Sequence, residues 1–379
     1  MSLNTHKRIK VLLAGGGTGG HIFPGVALAK EMMKRENTEC LMVITSKSSD
    51  KQIVERELIP YKTLPVRGMS RGLSLKTVSN LYRFGLSFIR AWQIITSYAP
   101  DIIIGMGAYV AFPIVSLGRI KGVTTFIHEQ NLLPGKANQF LSKWVDGIFT
   151  SFPQTERFFS NNKLKMLGNP LRVIPSNLDK EEMRVKLGLK PDSFTFLVFG
   201  GSRGAHSINI KAVETFKIIK SMDFPFQVIH QTGEDDFDYV AGFYEAEEII
   251  SLTSPFFNQM IDLYLLSDLV ISRAGAGTIS ELAATGKPAI LIPYPNAKAD
   301  HQKLNALELV RSGGARMILE SRLTGSLLSS EIMKLIRNPD SLKRMAQVNR
   351  ELGRLNAAKA ICDQALSWHQ ERNIKKYAS

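Results

Sequence analysis

Along the first 150 positions, short dense apolar runs such as Ile9–Ala14 alternate with longer stretches where apolar residues recur every three or four positions. Dense runs of this length suit buried strands, and the wider spacing lines up side chains on one helix face. The chain accordingly reads as strand 9–14, helix 20–34, strand 39–45, helix 50–57, strand 61–66, helix 74–97, strand 101–105, helix 111–120, strand 123–127 and helix 134–144. Such alternation predicts an α/β fold with a doubly wound parallel sheet. Around Gly168–Pro175 the pattern breaks, with two prolines and then the polar run Asn177–Glu182, and a linker is placed there. A second series follows, with strands at 194–199, 226–230, 268–272 and 289–292 and helical patterns from about Leu327 to Gln370.

Three strand-to-helix junctions are rich in glycine. The first runs from Ala14 into Gly15-Gly16-Gly17-Thr18-Gly19-Gly20-His21. Glycine there tolerates positive φ and bares backbone N–H groups, and the following helix N-terminus favours an anion such as a phosphate. Gly15, Gly17 and Gly20 also match the dinucleotide fingerprint, but the second strand ends in Ser46 and Lys47 rather than in the acid that would hold a ribose. That argues against a nicotinamide or flavin enzyme, and no P-loop string occurs. The second junction, Gly200-Gly201-Ser202-Arg203-Gly204-Ala205, repeats the first after the linker, and the third spans Ser272 to Glu281. Glu281 falls within the first turns of a helix, where a carboxylate can accept from both ribose hydroxyls or simply stabilise the helix end. Ligands of open α/β sheets sit beyond the carboxyl ends of the strands, so a cleft between the two halves is the expected active site.

Charge adds a partner. The 379 residues carry 48 basic and 34 acidic side chains, a net charge of +14, which calls for an anionic partner. From Leu58 to Pro100 there are six basic residues and no acidic one, mixed with large apolar side chains. On the helix there, residues 78, 81, 82, 85, 89 and 92 make one face, and Phe84, Leu86, Phe88, Ala91 and Ile95 spread apolar character beyond it. One face can pack on the sheet while others, with Leu75 or Phe84 inserting, meet anionic lipid; a buried helix with snorkelling arginines is the alternative. A nucleic-acid partner is disfavoured, since no RNP, helix-turn-helix or zinc string occurs. Cys40 and Cys362 are too few for a disulfide framework, which fits a reducing cytosol, and neither an export signal nor a membrane span is read. The one Asp-x-Asp string, Asp236-Phe237-Asp238, reads as the solvated start of a helix, so no metal is expected.

Several strings in fixed order carry a resemblance: Gly15 to His21 with Pro24, Gly105-Met106-Gly107 with Tyr109-Val110, His128-Glu129-Gln130-Asn131, Gly168-Asn169-Pro170 with Arg172, Gly200-Gly201-Ser202, Ser272-Arg273-Ala274-Gly275 with Glu281, and Asp300-His301-Gln302 with Asn305-Ala306. From end to end the chain resembles the MurG family, bacterial enzymes that transfer N-acetylglucosamine from UDP-N-acetylglucosamine onto lipid I. The resemblance implies a GT-B fold of two Rossmann-like domains facing across a cleft. They would be an acceptor and membrane-associating domain at 1–172 and a UDP-sugar donor domain at 173–353, with a last helix, about 354–379, returning to the first. It implies no cofactor, and a peripheral place on the cytoplasmic side of the inner membrane. A related lipid glycosyltransferase with another sugar or acceptor is the alternative.

Roles carried over by the resemblance put the acceptor at Gly15, Gly16, Gly17, Gly105, Gly107, Tyr109, His128 and Glu129. The donor would meet Thr18, Gly19, Gly20, Asn131, Arg172, Ser202, Phe257, Ala274, Gly275, Thr278, Glu281, His301 and Gln302. Among these, Ser202 and the loop from Ala274 to Thr278 would hold phosphates, Arg172 and the backbone near Phe257 the uracil, Glu281 the ribose, and Asn131, His301 and Gln302 the sugar hydroxyls. His21 would be the catalytic base, with His128 as competitor; an imidazole titrating near neutrality suits that task. The chain departs from the family's usual residues at Ala108, Arg203 and Gly277, and a positive φ at 108 would strain alanine.

Overall fold

The last four residues of Ile9–Ala14 are fully buried, and this strand, β1, lies centrally in a parallel sheet because both of its faces are covered. The computed structural model describes residues 8–66, 75–160, 163–172, 174–175 and 178–378, with the side chains at 75–81, 298 and 376–378 left out. Two compact units result, Met1–Arg172 with Asn356–Ser379, and Val173–Leu355.

In the first unit the described strands are β1, β2 (Thr38–Thr45), β3 (Tyr61–Leu64), β4 (Ile102–Gly105), β5 (Thr124–Glu129), β6 (Gly147–Thr150) and β7 (Leu164–Met166). They are ordered β3-β2-β1-β4-β5-β6-β7, all parallel. The order reverses between β1 and β4, and at such a switch point the loops after neighbouring strands diverge to opposite faces and open a crevice. The second unit repeats the plan with β8 (Phe194–Phe199), β9 (Phe226–Gln231), β10 (Ser251–Ser254), β11 (Leu269–Ser272), β12 (Ala289–Leu291) and β13 (Ala315–Met317). Their order is β10-β9-β8-β11-β12-β13, with the switch between β8 and β11.

The hydrophobic pattern placed nine of these strands and missed β6, β7, β10 and β13. Three of the four are edge strands of three or four residues, and Ser251–Ser254, polar but for Leu252, is half-buried throughout. An edge strand covers little apolar surface, so its sequence need not advertise it. The closing helix, Ala357–Ala378, belongs to the first unit. There Trp368 stacks on Phe149 at 5.5 Å between ring centroids, and Arg35 pairs with Asp363 at 2.7 Å.

Helix Leu75–Tyr98 presents a different face to the core than its apolar pattern suggested. Phe84 is only partly exposed, with its ring 5.3 Å from Phe88 and 6.2 Å from Phe112, while Ala91 and Ile95 are buried. Phe84 is therefore a packing residue and not an inserting one. Exposed instead are Tyr82, Ile89 and Trp92, members of the face expected to seek cover. Lys76 and Leu75 lie outside the described side chains.

Candidate active site

At the carboxyl end of β1 the chain turns through Gly16 and Gly17 into helix Gly19–Met33. The turn is held from behind by Asp50, whose carboxylate is 2 % exposed. Its Oδ2 accepts from the Gly17 N–H and from the Thr45 hydroxyl, each at 2.6 Å, and Lys47 Nζ donates to the Gly17 carbonyl at 2.6 Å. A Cβ on Gly16 would stand 2.7 Å from Asp50 Oδ2 and 3.2 Å from the Thr45 nitrogen, which is why only glycine fits. The acid missing from the end of β2 thus occurs five residues later, turned into the glycine loop. Gly15, Gly16 and Gly105 are buried packing positions, and it is Thr18 and Gly20 that are exposed. As in any helix, the first N–H groups, those of Gly19 and Gly20, lack intrahelical acceptors, and no acidic side chain occupies this first turn.

His21 lies two residues further on, partly exposed. Its Nδ1 is 2.9 Å from the Met106 carbonyl oxygen and 3.2 Å from Gln130 Oε1. Gln130, 1 % exposed, donates its own Nε2 to the same carbonyl at 2.9 Å. Loops after β1, β4 and β5 therefore meet at one imidazole on the switch point. Gly107 (φ 81°) leaves room for the ring, since a Cβ there would lie 3.2 Å from His21 Nδ1. Ala108 does take a positive φ, 59°, a strain of about 1 kcal/mol for a residue with a Cβ.

His128 is fully buried, and its Nε2 donates to the Gly168 carbonyl at 3.0 Å. Burial lowers its pKa to about 4, the hydrogen bond to Gly168 only partly opposing this, so it is neutral at physiological pH. With one nitrogen committed and the other enclosed, it is poorly placed to take a proton from substrate. Glu129 is equally enclosed: Oε1 accepts from the Asn131 N–H at 3.0 Å, and Oε2 from the Gly135 N–H at 3.1 Å and Asn138 Nδ2 at 2.8 Å. These two residues shape the loop carrying Gln130 and Asn131. Tyr109 is half-buried in the first turn of helix Ala108–Ile120, and Arg172 lies over the Phe23 ring at 4.7 Å, on the same helix as His21.

In the second unit, Ser202 and Arg203 are exposed at the tip of the loop after β8. Gly204 (φ 73°) packs so closely that a Cβ would collide with the Thr232 carbonyl. Gln231 ties this loop to the next, donating to the Gly201 carbonyl at 2.9 Å and accepting from the Phe257 N–H at 2.8 Å. The loop after β11 is braced by Gln302, whose Oε1 accepts from the Ala274 N–H at 3.3 Å and the Tyr294 N–H at 2.9 Å. From Gly275 the chain enters helix Ala276–Thr285, again without an acidic first turn. Thr278 and Glu281 are half-buried on it, and Glu281 Oε2 accepts from the hydroxyl of fully buried Tyr264 at 3.1 Å. Gly277 has open space around it, so a larger residue would fit. Ahead of His301, Ala299 and Asp300 both take left-handed φ, 50° and 54°.

Sequence reasoning missed Asp50, Gln130, Tyr264 and Gln231, which touch the named residues from behind. The Asp236-Phe237-Asp238 string does start a helix, Phe237–Ala246, with Asp238 exposed, but Asp236 is partly enclosed and its carboxylate accepts from His206 Nδ1 and Asn209 Nδ2, each at 2.7 Å. Among the described residues, no helix is long and apolar enough to cross a membrane.

Residues 11–150 match the glycosyltransferase family 28 N-terminal domain, and residues 195–362 match the glycosyltransferase family 28 C-terminal domain. The UDP-N-acetylglucosamine–N-acetylmuramyl-(pentapeptide) pyrophosphoryl-undecaprenol N-acetylglucosamine transferase of Geobacter sulfurreducens is 37% identical over 361 residues, 95% of this chain and 98% of that one. The Acetivibrio thermocellus enzyme of the same name is 39% identical, over 93% of this chain and 96% of its own. The crystal structure of Acinetobacter baumannii MurG matches with a TM-score of 0.73 at 25% identity, over 95% of this chain and 99% of the other. A Neisseria meningitidis UDP-GlcNAc 2-epimerase, at 15% identity and a TM-score of 0.68, shares the fold alone. Matches of this extent, falling on two parallel-sheet units with the same glycine-loop plan, mean that the chain belongs to the MurG family of N-acetylglucosamine transferases, within glycosyltransferase family 28, and has its GT-B fold.

Proposed function

We infer that the chain transfers N-acetylglucosamine from UDP-N-acetylglucosamine to lipid I in peptidoglycan synthesis, and that the accepting group is the C4 hydroxyl of the N-acetylmuramyl sugar. The acceptor oxygen bonds to the anomeric carbon with inversion, the bond from that carbon to the diphosphate breaks, and the electron pair leaves with UDP. His21 takes the hydroxyl proton. Its support is the imidazole held at the β1–β4 switch point with Nδ1 on the Met106 carbonyl. Nδ1 facing a carbonyl carries the hydrogen, so Nε2 keeps the lone pair that a base needs. The first unit serves the acceptor, through Gly17 and the loop from Gly107 to Tyr109, while Thr18, Gly19 and Gly20 at the start of helix Gly19–Met33 meet the donor. In the second unit the loops at Ser202 and Ala274–Thr278 hold the donor diphosphate, where helix N-termini stabilise the departing charge, and Glu281 holds the ribose.

Because the undecaprenyl chain of the acceptor stays in the bilayer, the enzyme works at an anionic membrane surface, on the cytoplasmic side of the inner membrane. Support comes from exposed Tyr82, Ile89, Trp92, Ile120, Phe140 and Trp144 in the first unit, with Lys121 over the Trp92 ring at 3.8 Å. Phe84, Phe88 and Phe112 continue this series inward from exposed Phe140 and Trp144, each ring in contact with the next. Apolar tips beside cations suit the headgroup boundary of a bilayer.

The test is His21→Ala. Turnover should fall about 10²- to 10⁴-fold with UDP affinity kept, as for the loss of a general base. Near-normal turnover would remove His21 from the mechanism.

A further inference from the structure

We propose that Gln130 is a positioning residue for the transfer, one that locks the His21 imidazole in the tautomer carrying its hydrogen on Nδ1 and leaves Nε2 as the basic atom. The inference rests on His21 being the base and adds how that base is set.

Two acceptors face His21 Nδ1: the Met106 carbonyl oxygen at 2.9 Å and Gln130 Oε1 at 3.2 Å. The identity of the Gln130 atom follows from its other end, where the amide nitrogen donates to that same carbonyl at 2.9 Å. Swapping the amide would set an N–H₂ against His21 and an oxygen against an oxygen. With acceptors on both approaches, Nδ1 must carry a hydrogen, and in a neutral ring Nε2 is then bare. Among the described residues, no protein group bonds to Nε2. Burial of Gln130 matters here, because its amide cannot turn to water without giving up the Met106 bond.

The proton balance suits this arrangement. The acceptor hydroxyl gives its proton to Nε2 as the glycosidic bond forms, and the ring becomes an imidazolium. Nδ1–H keeps both acceptors before and after, so no rearrangement accompanies the transfer. Both are neutral, in contrast to a carboxylate partner, so the ring is oriented without a full negative charge beside the acceptor pyrophosphate.

Gln130→Met keeps length and apolar volume and removes the acceptor. Turnover should fall up to about tenfold, the effect of losing one neutral hydrogen bond, with UDP affinity unchanged. In a His21→Ala background the same substitution should cost nothing further, because it acts through that ring. An equal loss in both backgrounds, or unchanged turnover in the single variant, would overturn the proposal. If His21→Ala alone leaves turnover intact, the base assignment fails, which is separate from whether Gln130 holds the ring. Should Gln130→Met not fold, ¹⁵N NMR of histidine-labelled protein decides: His21 should carry its hydrogen on Nδ1, and a hydrogen on Nε2 of the neutral ring would refute the lock.

Discussion

Replacing Asp50 by alanine removes the acceptor behind the first glycine loop without touching any residue on its exposed side. Two hydrogen bonds disappear, from the Gly17 N–H and the Thr45 hydroxyl, each 2.6 Å from the same oxygen. A hydrogen bond to a charged group contributes about 1.5–3 kcal/mol, and two sharing an oxygen do not add fully, so the loop should lose about 2–3 kcal/mol of support. Other ties remain, namely the Gly15 N–H on the Val43 carbonyl at 3.0 Å and Lys47 on the Gly17 carbonyl. The fold should survive while Gly17 and Thr18 sample other conformations. If the working arrangement loses about 2 kcal/mol against these, its share falls by up to about thirtyfold. We expect kcat/KM for a soluble lipid I analogue to drop about ten- to thirtyfold in Asp50→Ala. Asp50→Asn, whose amide oxygen can still accept both bonds, should lose less than about fivefold. Steady-state kinetics with each substrate varied, beside calorimetric titration with UDP, read this out. Unchanged acceptor kinetics in Asp50→Ala, or an equal loss of UDP affinity, would refute the reasoning that Asp50 acts on the acceptor loop.

Glu281→Ala should weaken UDP about ten- to a hundredfold in calorimetry, and Tyr264→Phe about three- to tenfold by loosening that carboxylate, with no effect of Tyr264→Phe once Glu281 is alanine. Lys287 is buried, with Nζ donating to the Leu265 and Ser267 carbonyls, and desolvation, aided by Lys180, lowers its pKa to about 7. Between that value and the unfolded value near 10.5, the unfolded chain holds a proton that the folded one releases. Stability therefore rises with pH across this window, with a ceiling of about 4–5 kcal/mol, and is flat below pH 7. Urea unfolding from pH 7 to 9.5 should show this slope in the native chain and lose it in Lys287→Met; parallel slopes would refute it. Vesicle cosedimentation should detect binding to anionic but not neutral lipid at low salt. Changing Arg90, Lys121 and Lys143, exposed cations close in sequence to Ile89, Trp92, Ile120 and Trp144, to Gln should weaken it up to about a hundredfold, at about 1 kcal/mol per cation, with UDP affinity unchanged, whereas equal binding to both lipids would sink the electrostatic part.

Much of the architecture was legible in the chain because the sheet interior demands it. Buried parallel strands must be near-continuous apolar runs, and β1, β4 and β8 are, broken only by Lys10 in β1 and Thr195 in β8; helices packed on a sheet must show their spacing. Glycines at the strand ends announced the loops, since a neighbouring carboxylate or carbonyl leaves no room for a Cβ at Gly16 or Gly204. Local covalent and steric rules act over a few residues, and the sequence shows them directly.

What the sequence left undecided were contacts between residues far apart in the chain. His128 competed with His21 for the base until the fold enclosed it against Gly168 and left His21 partly open beside Met106 and Gln130, 85 and 109 positions away. Phe84 and Ile89 lie on one amphipathic helix, and only packing against Phe88 and Phe112 decided which of them is exposed. Asp50 did not stand out in the sequence, since nothing local says that a loop 33 residues earlier will need an acceptor. A hydrogen bond, a burial cost and a chosen tautomer depend on distance in space, so tertiary structure alone assigned them, while strands, helices and glycine turns followed from neighbours along the chain.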